Sequence, residues 1–181
     1  VEMLYDKRAD LVISGLAAQG FLGEPLVTLR FIAVAHPAHP LHAMARTLDL
    51  RDLIQHRQLV VRDSALRQSM DAGWLKAEQR WTVSHLATSL DMLERGLGFA
   101  WLPETRIREA LTARRLKPLP LAAGGTREVP MQLIFQDRDR AGPATHAMAQ
   151  ALHAAVNTCC PIDDDSFYSK ENAEKLQSSV E

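Results

Sequence analysis

The chain has 181 residues, 46% apolar and 24% charged, the composition of a folded globular domain rather than a disordered segment. Its 21 Lys and Arg against 22 Asp and Glu leave a formal charge of -1, which excludes a chain that grips nucleic acid over a broad basic surface. No apolar run reaches the roughly 18–20 residues that span a bilayer, and the first residues lack a signal-peptide layout, so a cytoplasmic location without membrane contact is expected.

The start, Val1–Arg8, reads as the last turn or two of a helix whose beginning is absent, so the chain is expected to be a fragment. Asp10–Ser14 (DLVIS) is a short buried strand stopped by Gly15. A loop with Gly20, Gly23 and Pro25 precedes a longer strand, Leu26–Ala35. His36-Pro-Ala-His-Pro40 follows, and its two prolines predict an extended turn rather than a helix start. Thr47 or Asp49 is placed to cap a short helix over Leu50–Gln55. Gln58–Arg62 is a third strand, and Asp63 or Ser64 caps a helical stretch through Met70.

Arg80–Val83 predicts a fourth strand, and Ser84 opens a helix in which Leu86, Leu90, Leu93 and Leu97 share one face. Gly96 and Gly98 stop it, and Gly98–Leu102 is strand five. Pro103 and Glu104 begin a helix to about Arg114. Leu116–Leu121 is a proline-interrupted edge strand, and Val129–Phe135 is strand six. Gly142-Pro143 starts the last helix, with Ala144, Ala147, Met148, Ala151, Leu152, Ala155 and Val156 as its apolar stripe. From Asn157 onward the tail carries three Asp, three Glu and two Lys, has no sustained apolar period and is expected to be poorly packed. Strands alternating with helices predict an α/β fold with a largely parallel sheet.

Four segments, in order, resemble the effector-binding region of LysR-type transcriptional regulators: ADLVISG, LRFIAVAHPAHPL, VSHLATSLDMLERGLGFAWLPE, and LKPLPL with VPMQLIFQDRDRAGPATHAMAQAL. The resemblance covers roughly residues 4–156 and implies a periplasmic-binding-protein-like (type II) fold. Two α/β lobes would be joined by two crossing strands, with a small effector held between them. Residues 1–35 and 122–156 would form an incomplete first lobe, 36–121 the second, and 157–181 an acidic tail without a family counterpart. Assembly as a homodimer or homotetramer, and DNA contact only through a winged helix-turn-helix absent from this chain, are further implications.

The start of the Ser84 helix is the leading candidate site. Exposed N–H groups at a helix N-terminus favour an anion, and Ser84, His85 and Thr88 add donors; in the family this junction faces the cleft. The bland alternative is that Ser84 only caps the helix. Arg62, with Asp63 and Ser64, forms a second strand-to-helix junction, either facing ligand at the carboxyl end of a strand or simply capping. Ser14 ends the first-lobe strand and offers a hydroxyl, or closes a routine turn; Gln136 and Asp137 are weaker candidates. His36, His39 and His42 recur every third residue, but the prolines turn them apart and disfavour a metal site. Trp101 is expected in the core, and Trp81 in the core or against a pocket wall. Neighbouring Cys159 and Cys160 staple no loop. Gly96-Leu-Gly98 is no dinucleotide loop, since it follows a helix and precedes a strand. No nucleophile elbow, H-E-x-x-H, Walker loop or C-x-x-C occurs, so no enzyme and no cofactor are expected. A solute-binding protein of a transport system shares the fold and is the alternative.

Overall fold

A computed structural model describes residues 1–16, 18–62 and 75–159, the last three through their backbone only. In chain order it contains α1 (Glu2–Tyr5), β1 (Leu11–Ser14), β2 (Gly23–Ala35), a 3-10 turn (Pro40–His42), β3 (Gln58–Val61) and β4 (Arg80–Val83). Then follow α2 (Leu86–Glu94), β5 (Phe99–Pro103), α3 (Glu104–Thr112), β6 (Lys117–Pro118), β7 (Thr126–Phe135) and α4 (Pro143–Cys159). No helix among the described residues is long and apolar enough to cross a membrane. The helical stretch expected after Asp63, and the tail beyond Cys159, lie outside the described residues.

Two compact units result, Val1–Leu29 with Glu128 onward and Arg30–Arg127. Both boundaries fall inside strands, β2 and β7, so the chain passes between units twice along continuous strands. In the first unit β1 runs antiparallel to β7, with Leu11 opposite Phe135 and Ser14 opposite Gln132. Leu26, Leu133, Phe135 and Ala149 form one core, and Leu4, Ala18 and Ile134 another.

In the second unit β5 lies between β2 and β3, and β4 closes the order. Strand alternation sends Ile32 and Val34 with Ala100 and Leu102 to one face, under α2 and α3. The intervening Ala33 and Ala35 with Phe99 reach the other face, where Leu41, Leu48 and Leu53 cover them.

The expectation of a largely parallel sheet is corrected: β1–β7, β2–β5 and β2–β6 are antiparallel, while β3–β4, β3–β5 and the isolated bridge between Leu48 and Leu121 are parallel. Long strands that carry the chain out of and back into a unit run opposite to their neighbours, whereas parallel neighbours need a crossover. Three local expectations also change. Pro40 does begin a helical turn: it occupies the first turn position, and His39 Nδ1 caps it by accepting from Leu41 N–H at 3.2 Å. Residues 50–55 form successive turns instead of a helix, and Asp49 Oδ1 accepts from the N–H groups of Arg51 and Asp52. On α4 the inward positions are Ala149, Leu152 and Val156, while Met148 is 57% exposed. Alanines lie on every side of this helix and mark no face, so the packed side cannot be told from composition.

Candidate functional site

The parallel pair β3–β4 sets Val61 beside Val83, and the Arg62 N–H donates to the Val83 carbonyl at 2.8 Å. Arg62 and Ser84 therefore leave the sheet side by side at the carboxyl ends of neighbouring parallel strands, the place where open α/β sheets take ligands. α2 begins two residues after Ser84. Its N-cap is His85, held extended at φ -132 and ψ 141, and no side chain caps the helix. The capping role expected of Ser84 is thus corrected. Val83 stays in the strand ladder, so the chain turns only at Ser84 and the extended residue before the helix is His85.

Ser89 is the residue whose N–H first reaches back to the His85 carbonyl, at 3.2 Å. The N–H groups of Leu86, Ala87 and Thr88 precede it and belong to the helix end that lacks intrahelical acceptors. Ser84, His85, Thr88 and Arg62 are all exposed around this end. The junction gathers an uncapped helix N-terminus, two hydroxyls, an imidazole and a guanidinium, every one able to donate to an anion. Ser64 and Asp63 lie outside the described residues.

Ser14 belongs to the other unit. It is half-buried at the end of β1, and its Oγ accepts from the Leu16 N–H at 3.0 Å, closing a local turn and leaving the hydroxyl proton to donate elsewhere. Asp137, at the end of β7, likewise serves its own turn by accepting from the Arg140 N–H.

Among the described residues no three His, Cys, Asp or Glu side chains are gathered as a metal would require. His36 Nδ1 accepts from the Ala38 N–H and His39 Nδ1 from Leu41, so both rings support the turn. His39 is buried with its ring 5.2 Å from that of His56, and burial followed by the neighbouring imidazoles lowers its pKa to about 4. Trp101 is half-buried beside Phe99, with its indole N–H on the Gly124 carbonyl. Trp81 departs from the expected core role: it is 43% exposed on β4, under the Arg57 guanidinium at 3.8 Å.

One residue near the junction escaped the sequence reading. Ser89 is fully buried on the first turns of α2, and its Oγ has no hydrogen-bond partner among the described residues. It lies three residues after Leu86 and four before Leu93, on the apolar face that the leucine spacing already defined.

The sequence profile of the LysR substrate binding domain matches residues 1–157. The probable HTH-type transcriptional regulator YhaJ of Escherichia coli (strain K12) is 28% identical over 148 residues, 79% of this chain and 49% of that protein. The chain thus spans about half the length of the curated relatives it matches. Among solved structures, the regulatory domain of MetR, a LysR family regulator from N. meningitidis, superposes with a TM-score of 0.70 at 18% identity, covering 88% of this chain and 76% of that one. The effector-binding domain of QuiR in complex with shikimate superposes at 0.62 and 17% identity, covering 87% and 76%. These likenesses show a periplasmic-binding-protein-like type II fold.

Proposed function

The chain belongs to the LysR substrate-binding domain family, and we propose that it senses a small carboxylate-bearing effector at the junction of β3, β4 and α2. The family is one of transcriptional regulators, neither transport proteins nor enzymes. The carrying observation is the uncapped start of α2, ringed by Ser84, His85, Thr88 and Arg62. That an effector domain of the same fold is found with shikimate, itself a carboxylate, supports the reading. The effector acts by biasing a homodimer or homotetramer in the cytoplasm, and a winged helix-turn-helix outside this chain contacts DNA.

A thermal-shift screen of small carboxylates, beginning with shikimate, tests the site. Ser84→Ala with His85→Ala removes two exposed side chains, so the unliganded melting temperature stays close to that of the parent. Affinity for the hit falls about tenfold, the effect of losing one or two hydrogen bonds to a charged group. A ligand-induced shift unchanged in the double variant overturns the assignment.

A further inference from the structure

The second unit carries a groove of about 350 Å³ lined by Pro37, Leu111, Arg114, Leu116, Lys117 and Pro118. It shares no residue with the α2 junction. Its walls are apolar except for two cations, and its volume lies at the lower end of the range for small-molecule sites.

The charge balance around the groove is lopsided. Glu104 pairs with Arg30 at 3.2 Å, and Arg115 takes both Glu94 at 3.0 Å and Glu109 at 3.1 Å. Arg114 and Lys117, on either side of Arg115 and Leu116, make no ion pair with a described residue. Both α3 carboxylates, Glu104 and Glu109, are thus engaged, and two positive charges line the groove. Lys117 is felt locally: after burial, its charge is the next cause holding the His42 imidazole below its usual pKa.

The backbone adds a second argument. α3 ends in a Schellman turn, with Arg114 N–H on the Leu111 carbonyl and Arg115 N–H on the Ala110 carbonyl. α2 ends the same way, with Gly96 N–H on Leu93 and Leu97 N–H on Met92. The left-handed position is Gly96 in α2, at φ +75, but Arg114 in α3, at φ 56. A side chain there costs roughly 1 kcal/mol relative to glycine, and it keeps a guanidinium at the mouth of an apolar groove.

We propose that this groove is a second ligand site, taking a small apolar carboxylate whose hydrocarbon part lies against Pro37, Leu111, Leu116 and Pro118 and whose charge meets Arg114 and Lys117. Isothermal titration of the full chain with phenylacetate, acetate and benzyl alcohol tests it. Phenylacetate binds saturably with a Kd near about 1 mM, as its size allows, and acetate and benzyl alcohol bind several-fold more weakly. Arg114→Glu with Lys117→Glu weakens phenylacetate at least about fivefold, the effect of two exposed charge pairs. Arg114→Gly relaxes the backbone, so it raises the melting temperature while still weakening phenylacetate, which separates binding from folding. Ser84→Ala with His85→Ala leaves phenylacetate affinity intact. The proposal falls if phenylacetate does not saturate by about 20 mM, if acetate or benzyl alcohol binds as well, or if the charge reversals have no effect. It also falls if phenylacetate affinity is lost in the Ser84/His85 variant instead, an outcome that leaves the effector junction standing.

Discussion

Two glycines just before β5, three positions and one position from its start, show how differently the same residue type is used. Gly96 occupies the left-handed cap position and has open space around it, with His36 no nearer than 3.8 Å to where a Cβ would sit. Gly98 is held against the β3 approach: a Cβ there would stand 2.3 Å from the Arg57 carbonyl oxygen, which accepts the Phe99 N–H at 3.0 Å. Gly96→Ala therefore costs about 1 kcal/mol through strain. Gly98→Val costs more, about 2–3 kcal/mol, because backbone rather than a yielding side chain must shift; denaturant unfolding of both variants checks the order. The helix-to-strand link needs both a positive φ and a small residue, and the two demands fall on separate glycines. His39 offers a pH test. Its folded pKa is depressed to about 4, so the neutral ring's contribution is fully present above about 6.5 and drains away as pH falls toward 4. His39→Asn keeps an acceptor for the Leu41 N–H but does not titrate. Unfolding at pH 7.5 and 4.5 shows a drop in the parent that is larger by up to about 2 kcal/mol than in the variant.

Elements with a strong period were legible, and those decided by packing were not. The leucine spacing of α2 and the β-branched run of β3 announce themselves because one face must be buried. The face of α4 did not, since alanine is small enough to sit on either side. Strand direction was misread for a similar reason: alternation of helices and strands says that crossovers exist, but not which neighbouring strands run antiparallel. At the candidate site the junction was legible from strand, Ser84 and helix in succession, whereas the identity of the cap depended on the Val61–Val83 register. Ser89 belongs to this scale. A hydroxyl buried on the packed face of α2 without a partner among the described residues weakens the helix, so Ser89→Ala stabilises the protein by roughly 1 kcal/mol, read as a higher midpoint in urea.

At the scale of the whole molecule, four weak segments in the right order were enough to indicate the family, because each is tied to a place where strand, turn and helix must succeed one another. Of the ligand, the sequence offers only an expectation of negative charge, drawn from the start of the Ser84 helix. The double crossing of β2 and β7 has a practical corollary. Residues 30–127 are one uninterrupted stretch, and near its two ends the Ala33 N–H bonds the Gly125 carbonyl at 2.7 Å. Its entry and exit are therefore stitched together. Such a piece is a natural cassette: it can be lifted out at two neighbouring cut points and traded for the equivalent stretch of a sister protein, carrying both proposed binding places with it.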